Sequence, residues 1–120
     1  MITIKAKGFH WYTYNRKFYG IYEITKAIIS FDGIYSKVKL NYKDQYAKKL
    51  ISGSCILNAT TNNGLIFEGK WQDVSKAYGT AFMQYSCVGD AYILFGSWIW
   101  SKSGKTKKDS WTIILHSQQA

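Results

Sequence analysis

Residues Ala91 to Lys102 read AYILFGSWIWSK. In an extended chain, Tyr92, Leu94, Gly96, Trp98 and Trp100 fall on one face and Ala91, Ile93, Phe95, Ser97 and Ile99 on the other. Aromatic and β-branched side chains on both faces suit a strand with cover on each side. Gly96 leaves a gap that a bend, a neighbouring ring or a ligand can fill. Gly89-Asp90 and Ser103-Gly104 punctuate the two ends.

The rest of the chain can be aligned on this strand. Val88 and Ala91 flank a two-residue turn, so Tyr85, Met83 and Ala81 share the face of Tyr92, Leu94 and Trp98. Asp32-Gly33 is a second two-residue hairpin signal. It predicts that Phe31 pairs with Ile34 and Ala27 with Val38, with Leu40 and Tyr42 continuing the inner face. A three-residue loop at Asn62-Asn63-Gly64 turns Leu65, Phe67, Gly69 and Trp71 inward. A first strand spans residues 1–15, with a break expected near Gly8, and a last strand spans Ser110 to His116. Residues 41–50, 72–77 and 101–109 read as polar loops, the first long enough for one helical turn. Eight short strands with turn punctuation predict an all-β, eight-stranded antiparallel up-and-down barrel. Residues 1–120 then form a single β-barrel domain.

The chain holds 16 basic and 7 acidic residues, for a net charge of +9. Such a charge attracts anions. Only Arg16 carries a guanidinium, and base-edge reading of duplex DNA favours that fork, so no specific duplex reading is expected. No apolar run is long enough to span a membrane, and residues 1–15 lack a signal-peptide core. Cys55 and Cys87 lie in strand-like runs and read as two buried thiols of a cytoplasmic protein.

Catalytic and metal chemistry are not indicated. Gly104-Lys105-Thr106 lacks the preceding glycine and the following helix of a phosphate loop. His10 and His116 lie at opposite ends of the chain, close in space only if first and last strands pair, and no zinc-ligand spacing exists. Asp32 and Asp90 are turn residues; Asp44, Asp73 and Asp109 fall in loops; Glu23 and Glu68 face outward. The chain reads as a binder, not an enzyme, with no cofactor. Large rings share the inner face: Tyr22, Trp71, Tyr85, Tyr92, Trp98, Trp100 and Trp111. A lumen of this kind either fills itself or stacks a base or sugar ring. In a meander, alternate loops share an end. Arg16, Lys17, Lys43, Lys48, Lys49, Lys76, Lys102, Lys105, Lys107 and Lys108 therefore collect at one rim. There they would steer a phosphate toward the rings, with Arg16, Lys17, Lys49, Lys102 and Lys105 as candidate contacts.

Four segments carry a resemblance: G-I-Y at Gly20 to Tyr22, Y-G-T-A at Tyr78 to Ala81, L-F-G-S-W at Leu94 to Trp98 and W-T-I-I-L at Trp111 to Leu115. Their order resembles the small calycin-type barrels, lipocalin-like and avidin-like. Within that group the chain is similar to the ligand-sensing barrel of two-transmembrane effectors in bacterial cyclic-oligonucleotide anti-phage defence. The resemblance implies a cyclic nucleotide held in or across the barrel. The chain departs from it in lacking both transmembrane helices. Two other classes compete. One is a small immunity- or inhibitor-type protein covering an acidic partner, with Ile93, Phe95 and Ile99 as an outer apolar set that would also serve a homodimer. The other is a single-stranded nucleic-acid binder using lysines and surface aromatics.

Overall fold

The computed structural model describes residues 2–61, 65–103 and 107–118. Its strands are β1 (Ile2–Tyr14), β2 (Lys17–Phe31), β3 (Lys37–Tyr46), β4 (Lys49–Ala59), β5 (Ile66–Asp73), β6 (Tyr78–Val88), β7 (Ala91–Trp100) and β8 (Asp109–Ser117). Each pairs antiparallel with the next, and β1 closes against β8, giving a barrel in up-and-down order. The architecture is that of a small calycin-like barrel. Closure leaves no strand edge open, which a chain without proline has few other means to protect.

Register follows the turns. Val88 lies opposite Ala91, and Ala81 opposite Trp98. Ala59 lies opposite Phe67 and Cys55 opposite Trp71, the pairing that a three-residue loop requires, although residues 62–64 themselves lie outside the described residues. β1 runs on past Gly8, its ladder to β2 irregular between Ala6 and Gly8 and again between His10 and Tyr12.

Two expectations are corrected. Asp32-Gly33 does not close a two-residue hairpin. A 3-10 turn spans Gly33–Tyr35, and Ile29 pairs with Val38 and Ala27 with Leu40. The cause is Ser36, whose buried hydroxyl accepts from the Asp32 amide at 2.8 Å and donates to the Gly33 carbonyl at 2.8 Å. The slip is two residues, so the inner face is unchanged and Val38, Leu40 and Tyr42 remain buried. Ile34, freed from pairing, is exposed. Residues 41–50 are also not a loop. β3 runs to Tyr46 and β4 begins at Lys49, joined only by Ala47 and Lys48, both at positive φ (50° and 66°).

The interior is filled in one half only. Ile29, Val38, Leu57, Phe67, Met83, Leu94, Ile113 and Leu115 are fully buried and close the end that holds the Gly33–Tyr35 and Gly89-Asp90 turns. Burying such side chains is the main stabilising term of a domain this size. Toward the other end the inward residues become Tyr, Trp, His and Asp, and packing gives way to space.

Candidate functional site: an aromatic cup at the basic end

That space is a cavity of about 730 Å³, within the size range of small-molecule sites. Ala47, Ser75, Lys76, Ser101 and Lys102 line its mouth, so it opens at the end where the β1–β2, β3–β4, β5–β6 and β7–β8 connections gather. Trp71, Trp98, Trp100 and Trp111 form its walls, with Tyr12, Tyr14, Tyr19, Tyr42, Tyr46 and Tyr78. The rings meet largely edge-on: Trp71 and Trp98 at 5.6 Å between centroids, Tyr12 and Trp98 at 5.5 Å, Tyr14 and Trp100 at 5.8 Å. Two glycines make room. The Tyr42 ring lies over Gly53 and the Trp71 indole over Gly79, where a Cβ would come within 2.5 Å and 2.8 Å of those rings.

Beneath the cup, His10 is locked by chemistry. Trp111 Nε1 donates to His10 Nδ1 at 3.0 Å, and His10 Nε2 lies 2.7 Å from the Lys43 carbonyl oxygen, to which it must donate. An indole only donates and a carbonyl only accepts, so the ring is the neutral Nε2–H tautomer with both nitrogens engaged. Burial pushes its pKa down to about 4, against the smaller opposing effect of the Lys43 carbonyl.

Two carboxylates line the same cavity. Asp44 Oδ1 accepts from the Tyr12 hydroxyl at 2.6 Å and from the Gln45 amide at 2.7 Å. Asp73 Oδ1 accepts from the Ser75 amide at 2.8 Å and from the Ser75 hydroxyl. Burial raises the Asp44 pKa; its hydrogen bonds from Tyr12 and Gln45 oppose this, and the charge of Asp73 adds to the rise. Burial likewise raises Tyr42, with Cys55, Asp44 and Asp73 adding to it. Among the described residues, the buried Trp71 and Trp100 indole nitrogens have no acceptor.

The expected site residues divide. Trp71, Trp98, Trp100 and Lys102 line the cavity. Tyr22 sits at its edge, its ring 5.8 Å from His10 and its hydroxyl donating to Gln45 Oε1 at 3.1 Å. Tyr85 packs against Phe31 and Phe67, and Tyr92 lies opposite Cys87 and Leu115; both belong to the closed end. Arg16, Lys17 and Lys49 are exposed at the open end, and Lys105 lies outside the described residues. Lys102 Nζ lies 5.6 Å from the Trp100 ring centroid, and Lys107 Nζ lies 5.5 Å from that of Tyr14. Lys43 is not a rim residue: it belongs to β3 and its ammonium donates to Ser52 Oγ at 3.0 Å.

Other readings change. Asp44 is a strand residue turned into the lumen, not a loop acid, and Asp73 ends a strand. Cys55 is buried but Cys87 is exposed, and both are free thiols. His10 is buried while His116 is exposed, so β1–β8 pairing does not join them. Among the described residues no three His, Cys, Asp or Glu side chains gather to hold a metal, and no helix is long and apolar enough to cross a membrane.

Fold and cavity together define a small closed β-barrel with a one-ended, aromatic-walled cup. Comparison with protein-family models, with curated proteins and with solved structures found no match.

Proposed function

We propose that this barrel binds an anionic, ring-bearing small molecule, a nucleotide or cyclic nucleotide, and acts as a cytoplasmic sensor or sequestering protein. The observation that carries this reading is coincidence of place. The 730 Å³ cup walled by four tryptophans opens at the same end as the Arg16, Lys48, Lys76 and Lys102 loops. A base stacks on indole and phenol faces with little regard to sequence, and lysines at the mouth meet phosphate. The reading is one of binding and not of catalysis, because both nitrogens of His10 are already engaged. A role in bacterial anti-phage signalling is what the resemblance to the sensing barrel of two-transmembrane effectors adds.

Calorimetry with a panel of mono- and cyclic nucleotides, at low and high salt, tests this. Wild type should bind at least one, and a Lys76/Lys102→Ala variant should bind it about tenfold or more weakly, with a shallower salt dependence. No binding by wild type at either salt overturns the reading.

An immunity- or inhibitor-type role, or a homodimer, has one observation in its favour. Phe82 and Phe95 are exposed on the outer face, beside half-buried Ile93 and Ile99. A monomeric mass by size exclusion with light scattering would remove the homodimer.

A further inference from the structure

The cup is not uniformly suited to an anion. Its mouth is basic, but its wall carries two carboxylates. Each has one oxygen already hydrogen-bonded within the protein: Asp44 Oδ1 to Tyr12 and Gln45, Asp73 Oδ1 to Ser75. Among the described residues neither Oδ2 has a protein donor, and neither acid has a lysine or arginine partner. Trp71, Trp98 and Trp100 stand on the same wall as stacking surfaces. An aromatic cavity therefore offers two open acceptors to whatever ring enters.

We propose that the Asp44 and Asp73 carboxylates select rings bearing an exocyclic amino group, so that the cup prefers guanine, adenine and cytosine nucleotides over counterparts that lack that group. This rests on the nucleotide reading above. A carboxylate oxygen accepts only, so an amino N–H completes it and a carbonyl oxygen in the same place is repelled. The phosphate, which the acids would repel, is thereby turned toward Lys76 and Lys102 at the mouth.

The experiment uses pairs that differ at one exocyclic group: GMP against IMP, AMP against IMP, and CMP against UMP. Affinities are measured by calorimetry on wild type, Asp44→Asn and Asp73→Asn, with folding of each checked by circular dichroism. A charge-assisted hydrogen bond predicts about tenfold or greater preference for the amino member of at least one pair. In Asp44→Asn or Asp73→Asn the amide can present a donor where Oδ2 stood, so the preference should shrink, and in the AMP/IMP and CMP/UMP pairs it can reverse toward the oxo member. A merely structural role for the two acids would weaken all nucleotides alike. Binding of both members of every pair with equal affinity overturns this inference and leaves the nucleotide reading standing. A wild-type preference that survives in both variants also overturns it. No binding by any of the five nucleotides or by their cyclic forms overturns both.

Discussion

His10 shows what one side chain does for this barrel. Its two nitrogens answer a tryptophan donor from β8 and a carbonyl from β3, tying three strands together beneath the cup. Tyr12, Tyr22 and Tyr42 surround the ring. Protonation would put a second N–H against the Trp111 N–H, and burial opposes the charge as well. The folded pKa of about 4 lies below the ordinary 6.5. The unfolded chain thus takes up the proton first, and the stability His10 confers is complete above about pH 6.5 and lost as pH falls toward 4. Chemical denaturation from pH 4 to 7 should show wild type losing about 3 kcal/mol more than a His10→Gln variant across that window. Parallel curves would contradict the tautomer and its burial. Asp44 has the opposite sign. Its raised pKa means the fold disfavours its charge, so Asp44→Asn should raise the melting temperature of the unliganded protein at pH 7. A lowered melting temperature would mean that the Tyr12 and Gln45 hydrogen bonds outweigh the burial cost.

At the scale of the element, the β3–β4 hairpin explains what was legible in the sequence and what was not. The β6–β7 hairpin was readable because its inward side chains are apolar and Gly89-Asp90 is strong turn chemistry. β3 obeys the same period of two: Val38, Leu40 and Tyr42 are buried, and Asp44 lies in the cavity wall. Its last inward positions are polar because they face an open cup and not the core. A reading that requires apolar residues inside loses the strand at that point and reports a loop. The same reversal hid Tyr12, Tyr14, Asp44 and Asp73. The signal was present, since His10, Tyr12 and Tyr14 recur at period two in β1, as do Tyr42, Asp44 and Tyr46 in β3. The turn at Ala47-Lys48 gave no warning either, because neither residue is typical at positive φ. That conformation costs a non-glycine residue on the order of 1 kcal/mol. Lys48→Gly should therefore stabilise the protein by up to about 1 kcal/mol in denaturant titration. A clear loss would mean that the turn is not of the left-handed type.

For the whole molecule, the two ends of one barrel are chemically different. The closed end packs Phe31, Phe67, Leu94 and Leu115 beneath short turns, and the open end sets aromatic walls and acids below basic loops. Alternation of loops in a meander produces this asymmetry from sequence order alone, which is why the connections carrying Arg16, Lys48, Lys76 and Lys102 share an end. The filled half of the lumen could not be read from that order, because Tyr and Trp serve equally as core and as cavity wall; Tyr85 and Tyr92 proved to be the former. A ligand that enters the cup as proposed meets tryptophans that report on it. Of the five, Trp71, Trp98, Trp100 and Trp111 line the cavity, whereas Trp11 is half-buried outside it. The most direct measurement is a two-dimensional 1H–15N spectrum of the indole N–H groups during titration with GMP. The predicted result is saturable shifts at the four cavity indoles with Trp11 unmoved; shifts confined to Trp11, or none at saturating nucleotide, would contradict it.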